Sequence, residues 1–246
     1  HTDVDAEGIM KVDDVLEQAK NAKINGSSRL CMGAAWREVK DNRDFDKVVE
    51  MVQGVNDMGM EVCCTLGMMN ENQAKRLKNA GLFAYNHNLD SSKEFYKDVI
   101  STREYDQRLD TIENARNAGI SVCSGGIIGM GETEEDRMGL LMSYMEMENP
   151  RESIPINALV AVEGTPLEEQ KPIEQWELIR MVATTRIAFP KSVVRLSAGR
   201  TKMSMEAQAL CFMAGAGSIF AGDKLLTTPN PEFNEDKEMF SILGLV

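Results

Sequence analysis

The sequence predicts an α/β protein with a parallel sheet, of the (β/α)8 TIM-type barrel class. Short apolar segments alternate with amphipathic helical segments along the whole chain, and this alternation requires crossover connections between parallel strands. The chain has 246 residues, 43% hydrophobic and 27% charged, which is enough to bury the core of one domain. No linker or low-complexity stretch divides it, so we predict a single domain over residues 1–246.

Seven segments are predicted as strands, one fewer than a closed barrel needs. Each is a short apolar run followed by a loop and a helical pattern. We therefore expect either a barrel open on one side or a first strand upstream of His1. The predicted strands are Arg29–Trp36, Glu61–Gly67, Phe83–Asp90, Ser121–Gly129, Ser153–Val162, Val193–Gly199 and Ser218–Ala221.

Helices are predicted where apolar residues recur at helical spacing. Asp13–Ile24 ends at an Asn-Gly pair, and Tyr105–Ala118 ends at Gly119, both of which are glycine stop signals. Thr165-Pro-Leu-Glu168 has a capping-box pattern with proline at the first helical position, which predicts a helix start. Further helical segments are Glu134–Met147, Glu174–Ala188 and Ser204–Ala214.

The composition of the chain limits which binding partners and which cellular compartment are expected. The net charge is -12 and no basic patch is present, so neither nucleic acid nor an anionic membrane is expected as a partner. No apolar run reaches the length of a transmembrane helix. Five cysteines without small-scaffold spacing favour a reducing, cytoplasmic setting.

Polar residues recur near the middle of six predicted strands. Arg195 shares one strand face with Val193 and Ser197, and a buried arginine is costly unless negative charge meets it. One such residue is explained by a core hydrogen bond, whereas six strands together predict a lined cavity. The set comprises Cys31, Cys63, Asn86 with Asn88 and Asp90, Cys123, Asn157 and Arg195.

The cysteines support two interpretations: any one of them taken singly is explained by burial as a small apolar residue, whereas the recurrence of three in strands suggests a metal site. Cys31, Cys63 and Cys123 recur at similar places in their strands but have no CxxC spacing, so spacing alone indicates a metal site only weakly. Three thiolates facing Arg195 would suit an iron–sulfur cluster, whose negative charge would offset the guanidinium; zinc would more often draw a fourth cysteine or histidine. Cys211 lies on a helical pattern and is expected to be buried as a small apolar residue.

A glycine-rich segment follows the fourth strand and precedes a helix. Gly125-Gly-Ile-Ile-Gly-Met-Gly-Glu132 matches neither a Rossmann fingerprint nor a P-loop. It is explained either by a tight turn or by close approach of the backbone to a ligand.

Nine segments, in chain order, resemble the biotin synthase family of radical S-adenosylmethionine (SAM) enzymes from about Ala6 to the C-terminus. These segments are RLCMGAAW, GMEVCCTLG, YNHNLD, TREYDQRLDT, VCSGGIIGMGET, PINALV, VRLSAGR, CFMAGAGSIFAG and LLTTPNP. The resemblance implies a sulfurtransferase that inserts sulfur into dethiobiotin. In the family a [4Fe–4S] cluster reduces SAM to methionine and a 5′-deoxyadenosyl radical, which removes a hydrogen from dethiobiotin. An auxiliary cluster supplies the sulfur, and a second SAM allows the ring to close.

The resemblance also implies roles for individual residues. The auxiliary cluster would be ligated by Cys31, Cys63, Cys123 and Arg195. SAM would be bound by Ala34, Asn88, Asp90, Arg108, Gly125, Gly126, Ile127 and Val160. Dethiobiotin would be bound by Asn88, Asp90, Asn157, Thr227 and Thr228. Amides and carboxylates suit a ureido ring or ribose, and guanidinium or hydroxyl groups suit carboxylates. Alternatively, Arg108 is a solvated helix charge and the two threonines are turn residues before Pro229.

Two features depart from the family pattern. The CxxxCxxC motif that binds the [4Fe–4S] cluster is not among the 246 residues; in the family it lies just before the segment matching His1, so we expect a longer protein. Cys64 directly follows Cys63. A regular strand would bury it, while a bulge would offer a further thiolate, so the auxiliary cluster is either the [2Fe–2S] type usual in the family or a larger variant.

Other functions are weighed against this one. A different radical SAM barrel enzyme, such as a hydrogenase maturase or a methylornithine synthase, would not be expected to combine these cysteines, Arg195 and YNHNLD. A non-catalytic SAM-binding barrel is supported only by the missing cluster motif. An aldolase-type barrel would need an inward lysine, which no predicted strand supplies. The family further implies a homodimer and a small electron donor such as flavodoxin or ferredoxin.

Overall fold

The computed structural model describes residues 8–147, 152–221, 224–225, 228–229 and 233–245. The helices are α1 Val12–Ile24, α2 Arg43–Asp57, α3 Glu71–Asn79, α4 Lys93–Val99, α5 Tyr105–Asn117, α6 Glu134–Met145, α7 Gln175–Ala188, α8 Met205–Met213 and α9 Phe233–Ile242, with a 3₁₀ turn at Arg200–Lys202. The strands are β1 Arg29–Gly33, β2 Glu61–Thr65, β3 Ala84–Asn86, β4 Ser121–Cys123, β5 Gly126–Ile128, β6 Ser153–Ala158, β7 Val193–Leu196, β8 Ala216–Ile219, β9 Lys224–Leu225 and β10 Thr228–Pro229.

The described chain divides into two compact units. The N-terminal unit comprises residues 8–87 and 104–123. It contains a parallel sheet in the order β1-β2-β3-β4, connected through helices such as α2, whose apolar residues Phe45, Val48, Val52 and Val55 are buried at helical spacing. Asn42 begins α2 by accepting two backbone N–H groups through its side chain, as an N-cap residue does. These helices pack on the sheet: α2 contacts β2, and α5 contacts β4.

The C-terminal unit comprises the remaining described residues, beginning with 88–103 and 124–147. Strands β5-β6-β7-β8 are parallel in that order, and β9 and β10 form a short antiparallel pair. The register between β7 and β8 is irregular: Val194 lies opposite Ala216, but Arg195 lies opposite Ser218. Gly217 is therefore an extra residue on β8, and such a bulge re-aims neighbouring side chains.

The predicted parallel strands separated by helices are confirmed. Each of the seven predicted strand segments contains or overlaps an observed strand, and the fourth is divided into β4 and β5 around Ser124-Gly125. The predicted helices that begin near Asp13, Tyr105, Glu134, Glu174 and Ser204 are present with ends shifted by a few residues.

Two local predictions are wrong. The strand predicted through Asp90 ends at Asn86, and Asp90 has a φ of 69°, so strict alternation of side chains does not hold along this run. The capping-box pattern at Thr165 starts no helix. Instead, the Thr165 hydroxyl donates to the Val162 carbonyl and the Glu168 carboxylate accepts the Gly164 N–H, so the polar side chains close a local turn.

Candidate active site

Three predicted ligands lie on strands β1, β2 and β4 of the sheet in the N-terminal unit, with β3 between the second and the third. Cys31 on β1 is directly opposite Cys63 on β2, and Cys123 ends β4 opposite Asn86. Cys63 and Cys123 are buried, whereas Cys31 is exposed. The parallel register thus brings together cysteines that are far apart in the sequence.

The chemistry of this cysteine group is that of crowded thiols. A hydrogen bond to the Cys31 thiol, followed by burial and by the charges of Cys31, Cys123 and Cys64, raises the pKa of Cys63 well above its ordinary value. Acidic groups crowded together resist losing protons unless positive charge is supplied. Bound iron supplies that charge and takes thiolates as ligands, so the donor set fits an iron–sulfur cluster. Over the described ranges, no three His, Cys, Asp or Glu side chains converge on a position for a single metal ion.

Asn86 contacts this group and has no ligand role in the sequence-based prediction. Its Nδ2 lies 3.5 Å from the Cys123 sulfur and donates a hydrogen bond to it. Hydrogen bonds to ligand sulfurs tune the potential of iron–sulfur centres. The alternation of YNHNLD placed Asn86 on the cavity face, but its partner depends on the β3–β4 register and was not predictable locally.

Two further cysteines lie where burial was expected. Cys64 is fully buried in the regular part of β2, opposite Met32 and Tyr85, and burial followed by the charge of Cys31 raises its pKa. The regular pairing gives no bulge that would turn Cys64 toward Cys63. Cys211 on α8 is also fully buried, and burial raises its pKa to about 12.

In the C-terminal unit, the segment that follows β3 is hydrogen-bonded to the glycine-rich segment. Asn88 Oδ1 accepts the Gly125 N–H at 3.1 Å. Asp90 forms backbone hydrogen bonds to both Gly125 and Ile127 and is buried. Among the described residues, Asp90 is the one non-glycine with positive φ. Such conformations are typical of constrained functional sites, and aspartate tolerates them better than most residues.

The first two glycines of the segment are required by packing. A Cβ on Gly125 would lie 1.8 Å from the Pro155 carbonyl oxygen, and one on Gly126 would lie 2.3 Å from Leu140 Cδ2. Close contact with the protein itself therefore explains these glycines without invoking a ligand. Gly129 has a φ of 92°, which favours glycine and supports the interpretation of the second half of the glycine-rich segment as a tight turn.

Asn157 and Tyr144 connect this segment to its surroundings. Asn157 Nδ2 donates to the Gly126 carbonyl at 2.9 Å, and its Oδ1 accepts the Ala198 N–H at 3.2 Å. The Tyr144 hydroxyl donates to the Gly125 carbonyl at 2.8 Å and lies 3.0 Å from the Ser124 hydroxyl. Asn157 was predicted as a site residue. Tyr144 was missed because it lies on α6, away from the motif that it supports.

Arg195 is buried on β7, with 7% of its surface exposed. Its Nε donates to Ser218 Oγ at 3.0 Å, and its guanidinium carbon lies 4.7 Å from the Phe220 ring centroid. Within the described ranges no carboxylate forms an ion pair with it. Its described partners are thus a neutral hydroxyl and an aromatic ring.

The remaining predicted residues are placed as follows. Ala34 follows β1 and donates its N–H to the Thr65 carbonyl. Val160 follows β6 and is half-buried. Arg108 lies on α5 and is buried with 7% exposed, so the interpretation as a solvated helix charge is wrong. Thr227 lies outside the described residues, and Thr228 begins β10, where only the backbone is described.

None of the described helices has the length and apolar character needed to cross a membrane.

Two family models match the chain. The Radical SAM superfamily model matches residues 2–142, and the Biotin and Thiamin Synthesis associated domain model matches residues 155–246. The fold is also similar to the crystal structure of methylornithine synthase, with a TM-score of 0.81 and 18% identity over 99% of this chain and 75% of that chain. The chain therefore has the fold of the radical SAM barrel enzymes, as predicted.

Relatives of higher sequence identity show which family within this class of enzymes the chain belongs to. The chain is 65% identical to the biotin synthase of Cytophaga hutchinsonii over 100% of this chain and 73% of that protein. It is also 65% identical to the biotin synthase of Flavobacterium johnsoniae over 100% of this chain and 68% of that protein. The chain belongs to the biotin synthase family.

Proposed function

We propose that the protein inserts sulfur into dethiobiotin to form biotin, as a radical SAM sulfurtransferase. The observation that carries the proposal is the group of cysteines on β1, β2 and β4 of one parallel sheet, which combines with a family resemblance over the whole chain. When bound, the two iron–sulfur clusters and SAM would supply the 5′-deoxyadenosyl radical and the sulfur atom. The residues of this chain hold, orient and shield the reactants.

The auxiliary cluster would be held by Cys31, Cys63, Cys123 and Arg195. The crowded thiols provide the ligand type that iron–sulfur clusters prefer. Burial of Cys63 and Cys123 would limit access of water to the sulfur that is transferred. Because the pKa of Cys63 is raised, cluster insertion must displace its proton, so insertion is favoured as pH rises. A [2Fe–2S] cluster is the type usual in the family, and the regular pairing of β2 at Cys64 gives no support for a further thiolate ligand, because no bulge turns it toward the face of Cys63.

Arg195 would be the fourth ligand. Its Nε is used by Ser218, so ligation would fall to the Nη end of the guanidinium. A buried guanidinium needs negative charge nearby, and its described contacts are with uncharged groups. A negatively charged cluster would meet that need.

SAM and dethiobiotin would be bound mainly by the segments around Asn88 and the glycine-rich turn. Hydrogen bonds between the glycine-rich segment and the residues Asn88 and Asp90 hold the backbone of that segment in place. The side chain of Asn157 donates a further hydrogen bond to Gly126. A site restrained in this way orients its ligands at a low entropy cost. Gly125, Gly126 and Ile127 would form a wall for SAM, with Ala34 and Val160 near its adenosine.

Charged and hydroxyl groups would bind the two carboxylates. Buried Arg108 would pair with the SAM carboxylate, since guanidinium groups bind carboxylates with two hydrogen bonds. Thr227 and Thr228 would bind the carboxylate of dethiobiotin. As a whole-protein property, we propose a cytoplasmic homodimer that receives electrons from a flavodoxin or ferredoxin.

The test is a product assay on protein expressed from its complete native reading frame and reconstituted anaerobically with iron and sulfide. SAM, a reductant and dethiobiotin are added, and biotin and 5′-deoxyadenosine are quantified by mass spectrometry. Biotin formation that is lost in Cys63→Ala and Cys123→Ala, but retained in Cys211→Ala, is expected. Deoxyadenosine without biotin, in protein with an intact auxiliary cluster, would exclude dethiobiotin as the substrate.

A further inference from the structure

The orientation of Arg195 depends on two residues that follow it in the C-terminal unit. The bulge at Gly217 sets Ser218 opposite Arg195, where its hydroxyl accepts the Nε hydrogen bond. The Phe220 ring lies against the guanidinium, and stacking on an aromatic face restrains the plane of that group. The direction of the Nη end is therefore set partly by the position of Phe220.

Phe220 is held in turn by Arg200. Arg200 Nη2 donates a hydrogen bond to the Phe220 carbonyl at 3.0 Å. Arg200 lies just beyond β7, after a turn at Gly199 with a φ of 86°. A Cβ on Gly199 would lie 2.7 Å from that of Ala158, so the turn requires glycine. The turn carries the chain from the strand of Arg195 to the position of Arg200.

A buried ion pair with α9 fixes Arg200. Its Nη1 and Nη2 donate to the two carboxylate oxygens of Asp236 at 2.6 and 2.7 Å, and Gln208 Oε1 accepts a further bond from Nη1. Arg200 is 1% exposed and Asp236 is 5% exposed. Burying both charges is costly, and an apolar replacement of such a pair is often no less stable. The two parallel hydrogen bonds do, however, fix the orientation of the Arg200 guanidinium relative to the Asp236 carboxylate.

We propose that Arg200 and Asp236 are positioning residues for Arg195. The carboxylate of α9 fixes the Arg200 guanidinium, Arg200 fixes the backbone of Phe220, and the Phe220 ring sets the plane of Arg195. The inference rests on the proposed function, in which Arg195 is a ligand of the auxiliary cluster. Helix α9, which carries Asp236, would then help to orient the Arg195 side chain at the cluster.

The test uses full-length protein reconstituted with iron and sulfide. Mössbauer and electron paramagnetic resonance spectra of the auxiliary cluster are compared in Arg195→Lys, Asp236→Asn and Asp236→Glu. Asp236→Asn keeps the side-chain shape but removes its charge, and we expect it to shift the spectra in the same direction as Arg195→Lys. We also expect ~10-fold faster loss of iron to a chelator, the low end for changes to partners of metal ligands. Asp236→Glu should restore most of both properties.

Glu235 is an exposed neighbour on α9, so Glu235→Gln is the matched control and should leave the spectra unchanged. An unchanged spectrum in Asp236→Asn, with a changed one in Arg195→Lys, would overturn the positioning role and leave the proposed function intact. An unchanged spectrum in Arg195→Lys would remove the ligand role and, with it, this inference. If Asp236→Asn does not fold, Phe220→Leu decides: it keeps an apolar side chain without the ring, so a changed spectrum supports the proposal and an unchanged one overturns it.

Discussion

At the scale of single residues, the environment of the thiols sets their chemistry. Cys63 shares a hydrogen bond with Cys31 and is surrounded by further thiols, while Cys64 faces the protein interior beside Tyr85. Two cysteines adjacent in sequence therefore differ in environment, because successive side chains of a strand point to opposite faces.

The raised pKa of Cys63 predicts a pH dependence for the cluster-free protein. As pH rises past about 8.5, the ordinary pKa of a thiol, the unfolded chain loses this proton before the folded chain does. The free energy of unfolding should therefore fall with rising pH until the pKa of the folded state is reached. Urea unfolding between pH ~8 and ~10 should show a shallower fall in Cys63→Ala than in the wild type. Equal dependence of the unfolding free energy on pH in the two proteins would contradict a raised pKa for Cys63 in the folded state.

Asn86 provides a second prediction at this scale. If the auxiliary cluster is bound as proposed, the hydrogen bond from Asn86 to the Cys123 sulfur would stabilise the extra negative charge of its reduced form, so Asn86→Leu should lower the midpoint potential of that cluster. A hydrogen bond worth roughly 0.5–1.5 kcal/mol corresponds to a shift of roughly 20–60 mV. Spectroscopic redox titration measures the shift. Asn114→Leu, which loses a bond to the Met69 carbonyl instead, should leave the potential unchanged.

At the scale of secondary-structure elements, the break between β4 and β5 brings Gly125 against β6. Gly125→Ala would place its Cβ 1.8 Å from the Pro155 carbonyl, so one of the two strands must shift. We expect a loss of stability of about 1–3 kcal/mol or more, together with weaker SAM binding. Thermal unfolding and isothermal titration with SAM measure both. Gly8→Ala, where a Cβ would have nothing within 4 Å, is the control, and equal stability of the two variants would refute the packing argument.

These elements show what sequence can and cannot predict. Alternating apolar and helical patterns predicted a segment over each strand of the parallel sheets, because burial imposes those periods, but not the break between β4 and β5. The run from Asn86 to Asp90 looked like a continuous strand, yet Asp90 takes a left-handed conformation that depends on its pairing with the glycine-rich turn. The positions of Tyr144, Ser218 and Asp236 were likewise not predictable, since each contact joins residues brought together only by the fold.

At the scale of the whole molecule, the fold alone does not select the reaction. Methylornithine synthase has a similar fold at 18% identity, so the assignment depends on side chains and on relatives of much higher identity. The relatives at 65% identity place this chain in the biotin synthase family within that class.

The prediction of one domain can be tested through the two tryptophans. Trp36 lies in the N-terminal unit and Trp176 in the C-terminal unit, so Trp36→Phe and Trp176→Phe each leave one reporter. A single cooperative domain predicts coincident denaturation midpoints for both variants, by fluorescence and by circular dichroism. Separate midpoints would show that the two units unfold independently.

In the proposed function, the cluster held by Cys31, Cys63, Cys123 and Arg195 supplies the sulfur of biotin. The most direct measurement reconstitutes the full-length protein with isotopically labelled sulfide and follows a single turnover with SAM and dethiobiotin by mass spectrometry. This sulfur-donor role predicts biotin that carries the label, with loss of the auxiliary cluster spectrum at the same rate. Biotin without the label, formed while that spectrum persists, would contradict it.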